Sequence, residues 1–275
     1  MPLVESVRVH ADAAVTVSCA FSGALGSAAK IDLPFTMDVS RGDPGELRGL
    51  SRECSRAFSV GGEFHFEVVD RIPEAQGLKS SSALVLSAMI GVSRLLGAEL
   101  EGEELLRLCA EASVRLGLSV TGALDDLSAI YYGGVSVTDN ASNRIIFTDR
   151  MPDLPVLVVE SSDRRISYSA RVDEYRKMRR AWRAVENLLM RREFLEAMVI
   201  DGYLCSLIEG SDGDAISTML LNSATHACQS GKGPAVVGVF RNEGDMERCA
   251  SILESKGRRV KRSRFKNSGI WVEHI

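Results

Sequence analysis

The sequence predicts an α+β protein built in two halves, and three observations carry that prediction. Strand-like alternation opens the chain at Val7-Arg8-Val9 and Val15-Thr16-Val17 and returns cleanly at Phe64-His65-Phe66-Glu67-Val68-Val69. Two helical patterns follow, at 82–96 and 103–116. Beyond about residue 152, helix and strand patterns alternate at a spacing that suits a small sheet covered by helices. The halves are therefore 1–152 and 153–275.

In the first half the stretch Ser22-Gly23-Ala24-Leu25-Gly26-Ser27 leads into Ile31-Asp32-Leu33. Gly134 to Asp139 and Arg144 to Phe147 flank the turn residues Asn140 to Asn143, which reads as a hairpin. The second half opens on a buried strand, Leu154-Pro155-Val156-Leu157-Val158-Val159. A long helical region covers 173–207, broken near Gly202, and a shorter one covers 214–227. A glycine loop at 229–234, a strand at 235–240, a helix at 245–256 and two short strands within 259–273 complete the chain.

With 275 residues, 45% of them hydrophobic, the chain can bury a substantial core, and a net charge of -4 gives no reason to expect nucleic acid. Basic residues gather at 176–180 and 258–264, and each run reads as a solvated face. Six scattered cysteines with no C-x-x-C pair read as reduced core thiols of a cytoplasmic protein, not as a disulfide frame or zinc site. No secretory signal pattern opens the sequence. The apolar run after Ser82 meets Arg94 too early to span a bilayer, so no membrane partner is expected.

The most informative segment is Gly77-Leu78-Lys79-Ser80-Ser81-Ser82-Ala83. Pro73 and Gly77 hold the preceding backbone out of a helix, and serine favours a helix start. A loop then delivers backbone N–H groups and hydroxyls to the positive end of a buried helix, an arrangement suited to phosphate. An ordinary capped core helix would look much the same. Two further glycine loops, 23–27 and 229–234, match neither common nucleotide fingerprint: Gly231-Lys232 is followed by Gly233, not Ser or Thr. A fourth segment, Thr121-Gly122-Ala123-Leu124-Asp125-Asp126, places two adjacent carboxylates among apolar neighbours. Carboxylates rarely stand there unless paired or coordinating a cation, although an acidic helix start is the plainer alternative.

Taken in order, these loops resemble the motifs of the GHMP kinase superfamily, and most nearly its archaeal-type shikimate kinases. The likeness lies in Gly-Leu-Lys-Ser-Ser-Ser-Ala at 77–83, Thr-Gly-Ala-x-Asp-Asp at 121–126 and Tyr-Tyr-Gly-Gly-x-x-x-Thr-Asp-Asn at 131–140. The loop Ser230-Gly231-Lys232-Gly233-Pro234 is similar to the third motif. The first-motif match, 23–33, is weak: Ala13 and Ala14 stand where the family often has glycine and a small hydroxyl residue.

The resemblance implies a GHMP kinase fold, with an N-terminal ribosomal-S5-like α/β domain and a C-terminal ferredoxin-like α+β domain. It implies an ATP- and Mg2+-dependent kinase acting on the 3-hydroxyl of shikimate. Gly77, Leu78, Lys79, Ser80, Ser81 and Ser82, with Ser230, Gly231 and Gly233, would hold the nucleotide phosphates. Ser81 and Glu111 would hold the cation. Asp125, with Asp126 as its rival, would take the acceptor's proton, and Thr121 and Gly122 would border the acceptor. A carboxylate-bearing polyol also needs a cation and polar partners. Lys30 and Asp32 stand first among candidates that include Arg41, Arg164 and Arg165. Homoserine or a mevalonate-type alcohol is the alternative acceptor, and an inactive ligand-binding relative the remoter alternative. Either a monomer or a homodimer is compatible with the sequence.

Overall fold

The computed structural model describes residues 5–98, 100–162 and 171–275; Arg164 and Arg165 lie outside them. The first half runs β1 (Ser6–Ser18), β2 (Gly26–Arg41), α1 (Arg48–Ala57), β3 (Phe64–Asp70), α2 (Ser80–Leu95), α3 (Gly102–Arg115), α4 (Leu124–Tyr132), β4 (Val135–Asp139) and β5 (Arg144–Asp149). The second runs β6 (Pro155–Glu160), α5 (Val172–Lys177), α6 (Trp182–Met190), α7 (Phe194–Glu209), α8 (Gly213–Leu221), β7 (His226–Gln229), β8 (Val236–Val239), α9 (Glu243–Ser255), β9 (Arg259–Arg264) and β10 (Trp271–His274).

Two sheets organise these elements. The first has the order β10-β1-β2-β4-β5, with β3 also on β2, and the second has the order β7-β8-β6-β9. All their strand pairs are antiparallel. The first sheet takes β1 to β5 and the second β6 to β9, and the last strand crosses back: β10 pairs with β1. The two early strands expected at 7–9 and 15–17 are one long β1, kept continuous through register shifts near Asp12 and Thr16.

Helix α2 is apolar on nearly every side and packs across β1 and β2, so its start is fixed by the core it occupies. The long helical region of the second half is three helices, and its breaks lie at 178–181 and 191–193. Gly202 breaks nothing. It lies inside α7, where a Cβ would come within 2.6 Å of the Gln229 carbonyl, so glycine lets α7 lie directly on β7. The helix expected over 214–227 ends at Leu221, because His226–Gln229 is needed as an edge strand.

The basic run 258–264 is tied down by surface carboxylates, with Arg258 on Asp212, Arg262 on Glu247 and Glu254, and Arg264 on Asp153. All six cysteines are buried free thiols. Among the described residues no helix is long and apolar enough to cross a membrane.

Candidate active site

A cleft of about 720 Å³ lies where the two halves meet. Its polar end is built from four chain segments: Thr16 and Ser18 at the end of β1, the 77–82 turn, the aspartates at the start of α4, and Ser230 to Lys232.

The 77–82 turn is shaped by two left-handed residues, Gly77 (φ 80°) and Lys79 (φ 66°), after which α2 begins at Ser80. No side chain caps this helix, whereas Asp212 caps α8 and Asn242 caps α9. The first N–H groups of α2 therefore remain available to an anion beside the hydroxyls of Ser80 and Ser81. The 230–233 loop closes directly over this turn. The Ser230 hydroxyl donates to the Gly77 carbonyl at 2.9 Å and accepts from the Thr16 N–H at 3.1 Å. Gly77 must be glycine on two counts, its positive φ and a Cβ that would meet the Ser230 carbonyl oxygen at 2.6 Å. Gly77→Ala is accordingly expected to raise the KM for ATP at least about 10-fold, with a smaller effect on acceptor KM, as steady-state kinetics would show. Leu78 and Gly233 shape this junction from outside the cleft wall: Leu78 is buried in the core, and its carbonyl accepts from the Ala14 N–H.

The acidic pair lies at the first turn of α4, entered through left-handed Gly122 and Ala123. The two side chains diverge. Asp126 meets the Lys79 ammonium at 3.0 Å. Asp125 accepts from the Asn140 amide at 2.8 Å, and that amide also reaches the Thr121 hydroxyl. Burial pushes the Asp126 carboxyl up to about 7; Lys79 opposes the rise, and the like charge of Asp125 adds to it. Burial by itself would lower the Lys79 ammonium, but Asp126 and Asp125 outweigh it and its net shift is upward.

Several expected site residues are elsewhere. Glu111 faces solvent on α3, bound to Arg115, and does not line the cleft; the helix turns it away from the α4 carboxylates. Lys30 lies on β2 and is fully buried, its ammonium on Asp12 at 3.1 Å and on the Ile130 carbonyl. Burial lowers its pKa against the pull of Asp12. Asp32 pairs with Lys266 at 2.8 Å, and Lys266 also holds Asp12. Lys30 and Asp32 thus belong to an ion cluster that fastens the chain before β10 onto the first sheet. Arg41 lies over the Phe64 ring, also outside the cleft. Thr121 lines the cleft, whereas Gly122 lies behind it against Ala110.

The other end of the cleft is an apolar wall that the motifs did not announce: Phe35, Phe66, Val68, Ile72 and Leu84. The only sequence signal for it was the alternation of β3, which gave a strand but not what its face would meet. Asn140 likewise stood in a quoted motif without a role.

Comparison with known proteins places the chain in a family. Residues 47–134 match the family described as GHMP kinases N terminal domain. A protein named shikimate kinase from Thermoplasma acidophilum is 36% identical over 233 residues, covering 85% of this chain and 86% of that protein. This chain belongs to that family of GHMP kinases. A shikimate kinase from Thermococcus kodakarensis is 32% identical across 85% of this chain and 92% of its own length. The fold of this kinase superposes on a homoserine kinase structure from Cytophaga hutchinsonii with a TM-score of 0.76, at 17% identity and 99% coverage of both chains. It also superposes on the L. major mevalonate kinase in complex with R-mevalonate, with a TM-score of 0.70 at 14% identity. The GHMP kinase fold is therefore established, and with it a phosphotransferase that uses ATP.

Proposed function

We propose that this kinase transfers the γ-phosphoryl group of ATP to the 3-hydroxyl of shikimate, giving shikimate 3-phosphate and ADP. The observation that carries the reading is the Lys79–Asp126 pair, which joins the phosphate turn to the acidic turn across 47 positions of sequence in one cleft. The shikimate kinases at 36% and 32% identity support the choice of acceptor.

The nucleobase would rest on the apolar wall, and the phosphates on the N–H groups and hydroxyls of 80–82. The acceptor oxygen attacks the γ-phosphorus as the bond to the β-phosphate oxygen breaks, and Asp126 takes the hydroxyl proton. Asp126 suits this role better than Asp125, because a carboxylate raised toward neutrality is the stronger base. Lys79 holds positive charge between that base and the phosphates, where negative charge shifts during transfer. Mg2+ fits the donor set as a cation arriving with the nucleotide. It keeps several waters and needs few protein ligands, so the Ser81 hydroxyl with phosphate and water oxygens would hold it, and it would neutralise phosphate charge.

A coupled ADP-release assay with shikimate, homoserine and mevalonate tests the reading, with 31P NMR to locate the new ester. Turnover on shikimate at C3 is expected; equal or better turnover on homoserine or mevalonate would overturn it. The pH profile gives a second check. The base must be unprotonated, so kcat/KM is expected to rise with pH and level off above about 7. Lys79 and Asp125 are the charged groups facing Asp126 that set the position of that limb.

A further inference from the structure

We infer that Asp125 is a specificity residue that accepts a hydrogen bond from the hydroxyl adjacent to the one phosphorylated, and that Asn140 positions it. The inference rests on the shikimate reading and extends it, since shikimate carries three contiguous hydroxyls whereas homoserine carries one.

Adjacent residues on a helix project about 100° apart. One carboxylate of the α4 pair is consequently aimed at the phosphate turn and the other away from it, while both remain in the cleft wall. The seat of Asp125 is built by Asn140 on one side and Gly26 on another. Asn140 donates to its Oδ1 at 2.8 Å. The Asn140 amide is itself oriented by the Thr138 hydroxyl, which donates to its carbonyl oxygen at 2.5 Å. Behind it, Gly26 leaves room that any Cβ would remove, since that atom would fall 2.9 Å from both Cγ and Oδ2 of Asp125. The result is a carboxylate only 5% exposed, held by the neutral amide of Asn140. A carboxylate offers about four acceptor positions, and Asn140 fills one. Asp125 lines the cleft, so an acceptor bound there can donate to it, and the donor a polyol brings beside its reacting oxygen is the next hydroxyl. A site built to bond a hydroxyl discriminates strongly against an analogue lacking it, because its own buried acceptor is then left unpaired.

The test compares shikimate with 4-deoxyshikimate as acceptors for wild type, Asp125→Ala and Asn140→Ala. Wild type is expected to prefer shikimate by at least about 100-fold in kcat/KM. Asp125→Ala is expected to turn over the two acceptors within about 3-fold of each other, with the loss on shikimate mainly in its KM. Its KM for ATP and the acid limb near pH 7 should persist. Asn140→Ala should move the same ratio in the same direction by a smaller factor, which a merely structural role would not do. If Asp125→Ala still rejects the deoxy analogue as wild type does, or loses kcat together with the acid limb, the inference is overturned and Asp125 is the base. If wild type fails on shikimate altogether, the substrate reading falls first and this inference with it.

Discussion

Asp126→Asn is expected to lower kcat by about 1,000-fold while changing the KM for ATP little, because it would remove the proposed proton acceptor and leave the serine turn in place. Asparagine keeps the shape of the side chain and one acceptor oxygen beside Lys79, so the fold of α4 should not change. The variant should also lose the acid limb of the pH profile, since the group titrating there is the one replaced. Single-turnover kinetics with shikimate, together with nucleotide binding measured by calorimetry, would separate the two effects. A variant that retained more than about a tenth of wild-type kcat would show that the base lies elsewhere, with Asp125 as the remaining carboxylate of the pair.

The second large effect concerns stability. Asp201, on α7, is fully buried, and a single oxygen of its carboxylate accepts from the Cys19 N–H and the Trp182 indole N–H, both at 2.7 Å. Cys19 directly follows β1 and lines the cleft, so this carboxylate ties the second half of the chain to the wall of the site. Asp201→Ala strands two buried donors, and is expected to destabilise by about 4 kcal/mol at 1–3 kcal/mol for each unpaired group plus a small cavity. Asp201→Asn keeps the accepting oxygen and should fold normally.

The pH dependence has a definite sign. Burial raises the Asp201 carboxyl to about 6, against the opposing hydrogen bonds from Cys19, Trp182 and Cys205 and the charge of Lys79. An unfolded aspartate titrates near 3.9, so the folded state holds this proton more tightly. Its contribution to stability is therefore greatest below about pH 4 and is lost as pH rises to about 6, amounting to roughly 3 kcal/mol. Urea denaturation at pH 5 and pH 7.5 should show this slope in wild type relative to Asp201→Asn. Equal slopes in the two proteins would mean that Asp201 is ionised throughout.

Much of the site was legible because its signals are local. The serine turn is readable from Gly77 and the apolar run behind Ser82, and the acidic turn from two carboxylates set among apolar residues. Residues whose roles depend on distant partners were not legible. Lys30 and Asp32 follow a glycine-bearing stretch, yet the register of β2 against β1 carries them into the Asp12–Lys266 cluster. Glu111 stands at a plausible distance along the chain from Asp125, but the rotation of α3 faces it outward to Arg115. Gly202 looked like a helix break, and only the strand beneath α7 shows why glycine is needed there.

The sequence by itself determined the class of fold, the serine turn at a helix start and the presence of an acidic pair, since each depends on residues within one turn or one strand of each other. Tertiary structure alone decided which partner each carboxylate of the pair meets. Lys79 and Asn140 approach it from different elements, one on each side, and neither contact has any trace in sequence spacing. A carboxylate takes its basicity and its partner from whatever shares its burial, and which groups share that burial is known only once the chain has folded.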